Sequence, residues 1–215
     1  AAEKLRSDPV GEGSFVSYAA DNGKGQAVFT FQFDEETELT GYMKLRLWVE
    51  AKGSNDMDLF VKVQKLSKGG KLLSSPVIVP PNRVARAMVN LLWSFGIRKL
   101  SFLFFTGPSG RQRVSHRALD AARSTPSEPY LTHRAEELLS PGQIVPVEIG
   151  IWPAGMRWHA GEQLRLIISG CNLTPAPIAG IKPPVLRNKG QHVIHTGAKY
   201  DSHLLVPVIP KGPPR

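Results

Sequence analysis

Alternation of apolar and polar positions is the strongest pattern along the chain. From Ala27 to Phe33 it sets Phe29, Phe31 and Phe33 on one side of an extended segment, which reads as a strand with one buried face. From Glu38 to Glu50 the pattern runs longer. Met43, Leu45, Leu47 and Val49 point one way, and Lys44, Arg46 and Trp48 the other. Asp58–Leu66 makes a third strand, and Arg111–Arg117, Gln143–Ile151, Leu164–Ser169, Gln191–Thr196 and Ser202–Ile209 follow. Turn chemistry separates them, as in Asp21-Asn22-Gly23-Lys24-Gly25 and Lys68-Gly69-Gly70-Lys71. Residues 1–25 read as a loop or weakly ordered lead-in. Many short strands with no helix–strand alternation exclude a doubly wound sheet or a TIM barrel. They predict an all-β fold, a β-sandwich of the Greek-key or jelly-roll kind.

Residues 72–106 break the alternation. Pro76, Pro80 and Pro81 open the segment. Val84, Met88, Leu91, Leu92 and Phe95 then recur at helical spacing, which predicts a short amphipathic helix over Arg83–Phe95 with Gly96 as its stop. Ser101–Phe105 is densely apolar. The segment reads as a helical insertion lying over the sheet. A second short helix is expected at Thr132–Leu139. The organisation that follows is a lead-in at 1–26, a sandwich domain at 27–210 carrying the 72–106 insertion, and a loose tail at 211–215.

Composition adds limits. The 215 residues are 41% hydrophobic and 21% charged, a globular balance, and Gly 20 with Pro 18 favours frequent turns. The net charge of +9 first suggests nucleic acid, but its distribution matters more. Residues 1–60 hold 11 acids against 6 bases, whereas residues 83–123 hold eight bases against Asp120 alone. This basic stretch reads as a solvated face or one opposite an acidic partner. The aromatic and glycine signatures of RNA modules are missing, so no nucleic-acid partner is expected. No run of 18 apolar residues is present, so no membrane span is expected; a basic helix at a membrane surface is the weaker reading of 83–95. The lone Cys171 excludes an intrachain disulfide and a Cys-based zinc ribbon, and reads as a small buried residue. With no secretory signal and no initiator Met, the sequence reads as a fragment or a processed chain, with a cytoplasmic setting favoured.

Reactive chemistry is sparse. Ser115-His116 and Asp201-Ser202-His203 carry triad residue types. On strands, however, adjacent side chains face opposite ways, so neither serine could use its neighbouring histidine. A Gly-x-Ser-x-Gly elbow is absent. His192 and His195, three apart on a strand, would also face opposite ways, and no His-Glu-x-x-His or Cys-x-x-Cys occurs. Asp56-Met57-Asp58 lacks the rest of a calcium loop and reads as charged residues opening a strand. Asn172-Leu173-Thr174 matches a glycosylation acceptor, read as chance. No metal or cofactor is expected.

Several stretches together resemble one family. They are Phe33 to Glu50, Met57 to Val61, Arg113-Val114-Ser115-His116-Arg117-Ala118-Leu119-Asp120, Pro141-Gly142-Gln143, Gly161 to Leu166, and Ser202 to Pro210. In order and spacing they resemble the C-terminal domain of the X-Pro dipeptidyl-peptidase and cocaine-esterase-like (CocE/NonD) serine hydrolases, from about Ala27 to Pro210. The resemblance implies a jelly roll of the galactose-binding-like type. It implies packing on an α/β-hydrolase catalytic domain of the same polypeptide that holds the whole Ser-Asp-His triad. This chain would then be the inactive accessory part of an esterase or peptidase, with self-association left open. His116, Arg117, His195, Asp201 and His203 carry polar chemistry beside apolar strands. They either pin loops to the sandwich by hydrogen bonds or line the domain interface and the rim of the neighbouring cleft. The rival reading is a stand-alone carbohydrate-binding module with Trp48, Trp152 and Trp158 as stacking platforms.

Overall fold

The computed structural model describes residues 3–4, 11–77, 82–94, 104–173 and 185–210. Its alternating segments form two packed sheets. The first comprises β1 (Glu3–Lys4), β3 (Gln26–Gln32), β11 (Gln163–Ser169), β5 (Asp58–Leu66) and β6 (Leu72–Leu73) in that spatial order, and β9 (Ser109–Arg113) also pairs with β5. The second runs β10 (Val145–Trp158), β4 (Thr37–Lys52), β12 (Gln191–Thr196) and β2 (Ser14–Ala19), with β13 (His203–Leu205) also on β4. All pairings are antiparallel except β1 with β3. Two antiparallel sheets facing one core make a β-sandwich.

The core lies between the inner faces. Met43, Leu45, Leu47 and Val49 of β4 are buried, as are Leu59, Val61 and Val63 of β5 and Leu164, Leu166 and Ile168 of β11. The side chains between them on β4, Lys44, Arg46 and Trp48, stay half-buried on the outer face. β5 differs in that its other face, with Phe60, Lys62 and Gln64, is buried too. Burial accordingly pulls the Lys62 ammonium below its ordinary pKa.

Several sequence expectations are corrected. The lead-in contains a strand: β2 pairs along its whole length with β12, from Ser14↔Thr196 to Ala19↔Gln191. As an edge strand it covers few side chains: Tyr18 is buried and Val16 packs partly against the core, while Ser14, Phe15 and Ser17 are exposed. Thr132–Leu139 is not helical. His133 takes φ 51°, in the left-handed region, and the Glu137 and Leu139 amides donate to the distant carbonyls of Ser115 and Asn55. The strand expected to reach Arg117 stops at Arg113, and Val114–His116 forms a 3-10 turn. The last strand is shorter than expected, with Ser202 before it and Val208 making only an isolated bridge to Leu39. Cys171 is half-buried, its Sγ donating to the Gly23 carbonyl at 3.3 Å.

The expected insertion is an arm between β6 and β9. Its stem is the short pair β7 (Ser75–Pro76) and β8 (Phe104–Phe105), and α1 (Arg83–Ser94) lies within it. Asn82 caps the helix, its Oδ1 accepting from the Ala85 amide at 2.8 Å. Val84, Met88 and Leu91 of α1 are exposed. Phe95, Gly96, Ser101–Leu103, Pro80, Pro81 and the tail lie outside the described residues. After the arm, Gly107 at φ +113° turns the chain back onto β5, where any Cβ would meet the Val63 carbonyl at 1.8 Å.

Candidate functional site

Two polar clusters stand out. The first sits where β4 hands over to β5, against the 3-10 turn and residues 185–190. Asp56 is 0% exposed, and its carboxylate is fully engaged. Oδ1 accepts from the Met57 and Ser115 amides at 2.9 Å each, and Oδ2 from the Ser115 hydroxyl at 2.8 Å and Arg187 Nη1 at 3.4 Å. Asp58 accepts from Arg113 Nε at 2.8 Å and from the Arg187 amide at 2.6 Å. Asn188 then pairs with Asp58 as a strand would: its Oδ1 accepts the Asp58 amide at 2.7 Å and its Nδ2 donates to the Asp58 carbonyl at 3.1 Å. The same Oδ1 meets His192 Nε2 at 3.1 Å, and His192 Nδ1 meets the Tyr18 hydroxyl at 3.1 Å.

Electrostatics agree with this geometry. Arg113 rises above its ordinary pKa through its hydrogen bonds to Asp58. Glu136 falls below the usual carboxylate range because Arg187 donates to it through both terminal nitrogens, at 2.9 Å each. Burial pushes His192 down to about 4, which keeps it neutral, and pushes the Tyr18 phenol up.

The second cluster covers the outer face of β4. Glu148 of β10 bridges Lys44 Nζ at 2.9 Å and Arg46 Nη1 at 3.0 Å. Burial alone would raise the Glu148 carboxyl, but the two cations hold it below its ordinary value. Asp201 accepts from Trp48 Nε1 at 2.6 Å and from Arg46 Nε at 3.1 Å, and these donors, Trp48 first, depress its pKa. Ser202 bolts β12 to β4: its hydroxyl donates to the His195 carbonyl at 2.7 Å and accepts from the Trp48 amide at 2.9 Å. His195 Nε2 meets Glu50 Oε2 at 3.1 Å, and its ring lies 5.1 Å from that of Tyr200.

The five residues singled out from the sequence therefore fall in two places. His195, Asp201 and His203 share the β4 cluster, with His203 Nδ1 at 2.6 Å from the Asp201 carbonyl. His116 and Arg117 border the Asp56 cluster: His116 Nε2 lies 3.5 Å from Glu136, and Arg117 donates to the Glu137 carbonyl at 2.6 Å. The two regions meet along β12, where His192 pairs with Ala51 in the first and His195 with Trp48 in the second, roughly 10 Å of strand apart. Sequence reasoning missed Asp56, Asp58, Arg113, Arg187 and Asn188 as one network. The available signal was that two acids flanking a buried methionine need donors from elsewhere in the chain.

The chemistry of both clusters is holding. Every oxygen of Asp56 is occupied, and the hydroxyl of the fully buried Ser115 donates its hydrogen bond to that carboxylate. The 3-10 turn removes the opposite-faces argument for Ser115 and His116; the serine is instead kept from histidine by its bond to Asp56. Among the described residues, no group of three His, Cys, Asp or Glu is placed to hold a metal. No described helix is long and apolar enough to cross a membrane. Of the three candidate stacking tryptophans, Trp158 is fully buried and Trp48 is tied to Asp201, while Trp152 stands 75% exposed beside the irregularity of β10.

The sandwich and its pinned loops define an all-β domain. The model of the X-Pro dipeptidyl-peptidase C-terminal non-catalytic domain matches residues 2–205, so the chain belongs to that family. A CocE/NonD family hydrolase from Staphylococcus aureus is similar in structure, with a TM-score of 0.79 and 30% identity over 97% of this chain and 34% of its own. An aminopeptidase from a marine sediment archaeon (Thaumarchaeota archaeon) shares the fold at 14% identity and a TM-score of 0.55, over 94% of this chain and 34% of its own. An α-amino acid ester hydrolase does so at 13% and 0.51, over 89% and 27%. The chain thus spans about a third of the length of these proteins or less. No curated protein matches it.

Proposed function

We propose that this chain is the accessory C-terminal domain of a serine hydrolase of the X-Pro dipeptidyl-peptidase or acyl-esterase type. It packs on an α/β-hydrolase catalytic domain of the same polypeptide and shapes the approach to that domain's active site. One observation carries the reading: 97% of this chain superposes on a hydrolase of which it fills only 34%. The pinned loops fit the role. A domain that must hold a cleft edge in place needs rigid loops, and the Asp56 and Asp201 networks supply them. In this reading His116, Arg117, His195, Asp201 and His203 fix the loops at the rim, and the sandwich is the family's jelly roll.

A fluorophosphonate serine-hydrolase probe with intact-mass detection tests this. The 215-residue chain should take no adduct, and the natural polypeptide that carries it should take one, outside this chain. An adduct on the chain itself would overturn the reading. Trp152 favours one rival, a sugar-stacking surface; binding to a glycan array that is lost in Trp152→Ala would support it.

A further inference from the structure

Among its described side chains, the arm carries an apolar stripe that is open to solvent. Val84 and Met88, four residues apart on α1, lie on one helix face and are 79% and 57% exposed. Val77 on the approach to the helix is 61% exposed, and Phe105 of the stem 41%. The helix is nonetheless built to persist. Asn82 caps it, and β7 and β8 clamp its stem through Ser75↔Phe105 and Pro76↔Phe104. A capped, clamped helix with a bare stripe is preorganised for a partner.

Charge narrows the partner. α1 carries Arg83 and Arg86 and no acid, and residues 61–119 contain no Asp or Glu at all. A two-fold contact between copies would set this basic face against itself, which like charges disfavour. The partner must instead offer an apolar groove with an acidic rim. The staphylococcal hydrolase has two thirds of its chain beyond the part this chain matches, so a polypeptide of that kind brings its own partner surface.

We propose that α1 docks this domain on its own polypeptide's catalytic domain, with Val84 and Met88 seated in an apolar groove and Arg83 and Arg86 facing acids at its rim. The inference rests on the accessory-domain reading above.

The test pairs the 215-residue chain with the separately produced remainder of the natural polypeptide, and follows their association by calorimetry. The wild-type chain should bind. Val84→Asp with Met88→Asp should weaken binding roughly tenfold or more, and Arg86→Glu should weaken it less and make it less salt-sensitive. Both Asp substitutions fall on exposed positions, and the one at Val84 lies in the first helical turn, where an acid favours the helix. The uncharged pair Val84→Gln and Met88→Gln guards against a local misfold and should also bind more weakly. Unchanged affinity in both double variants would overturn the proposal. So would a self-associating wild-type chain whose dimer the Asp variant dissolves. Binding to phosphatidylcholine–phosphatidylserine vesicles that the Asp variant loses, with affinity for the remainder unchanged, would reassign the stripe to membranes. The two readings fail separately. A natural polypeptide that takes no fluorophosphonate label removes the accessory-domain reading and this inference with it. A labelled polypeptide with unaffected docking removes this inference alone.

Discussion

β4 and α1 follow the same rule in sequence and end in opposite environments. Each sets apolar residues on one face, at a period of two in the strand and at helical spacing in the helix. The face of β4 closes over the core, and Met43 there is fully buried; the face of α1 opens to solvent, and Met88 is 57% exposed. The difference lies in what surrounds each element. β4 has neighbours along both edges, in β10, β12 and β13, and the opposite sheet beneath it. α1 stands in an arm whose described contacts include its stem and its Asn82 cap. Periodicity says that a face wants cover, not whether this chain supplies it.

The comparison breaks most sharply in the sandwich. Asp56→Ala would leave the Ser115 amide and hydroxyl and the Met57 amide without their acceptor in a fully buried position. We expect a loss of about 3–5 kcal/mol, read from denaturant unfolding, because the orphaned donors keep their desolvation cost. A loss below about 1 kcal/mol would mean that water reaches the cluster. Next comes Met43→Ala, which empties a core position on β4 and should cost about 2–5 kcal/mol.

A pH test sharpens the account of why residues 185–190 stay in place. His192 is buried among Tyr18, Asn188 and Asp58, and its folded pKa lies at about 4 against 6.5 when free. The unfolded chain therefore binds this proton first. The stability from neutral His192 is complete above pH 6.5 and drains away as pH falls towards 4. Between pH 8 and pH 5 the loss should be about 2 kcal/mol. The depressed carboxyls of Glu136, Glu148 and Asp201 lose their contribution at lower pH, below the ordinary carboxylate range. His192→Gln should flatten the step between pH 8 and pH 5. A wild-type stability flat across that range would show that the ring accepts its proton without unfolding.

The layers were readable because burial on one face of a strand leaves a mark at every second residue. β3, β4 and the first half of β10 carry it, and α1 carries its helical counterpart in the sequence although its Val84, Met88 and Leu91 are exposed. β2 was missed because an edge strand leaves so few marks. The helix expected at Thr132–Leu139 failed because Glu136 and Glu137 are held by Arg187 and Arg117, distant partners that no local pattern encodes. The same holds for the site. His195, Asp201 and His203 could be named as polar residues beside strands, but their convergence on Arg46, Trp48 and Glu50 is set by pairing across the sheet. Contacts such as Asp56 with Ser115, 59 residues apart, are long-range choices.

The smallest effect is the most discriminating. Met88→Ala makes the same chemical change as Met43→Ala, but in the 215-residue chain it should alter unfolding by no more than about 0.5 kcal/mol. Alanine is the better helix former, which offsets part of any loss. Equal losses at the two methionines would show that α1 folds back onto the sandwich in solution, and the arm would then have no free face to offer. A large loss at Met43 with none at Met88 leaves the stripe dispensable to this fold. The same Met88→Ala change in the complete natural polypeptide should then cost more than in the chain alone, because only there does the stripe have something to cover it.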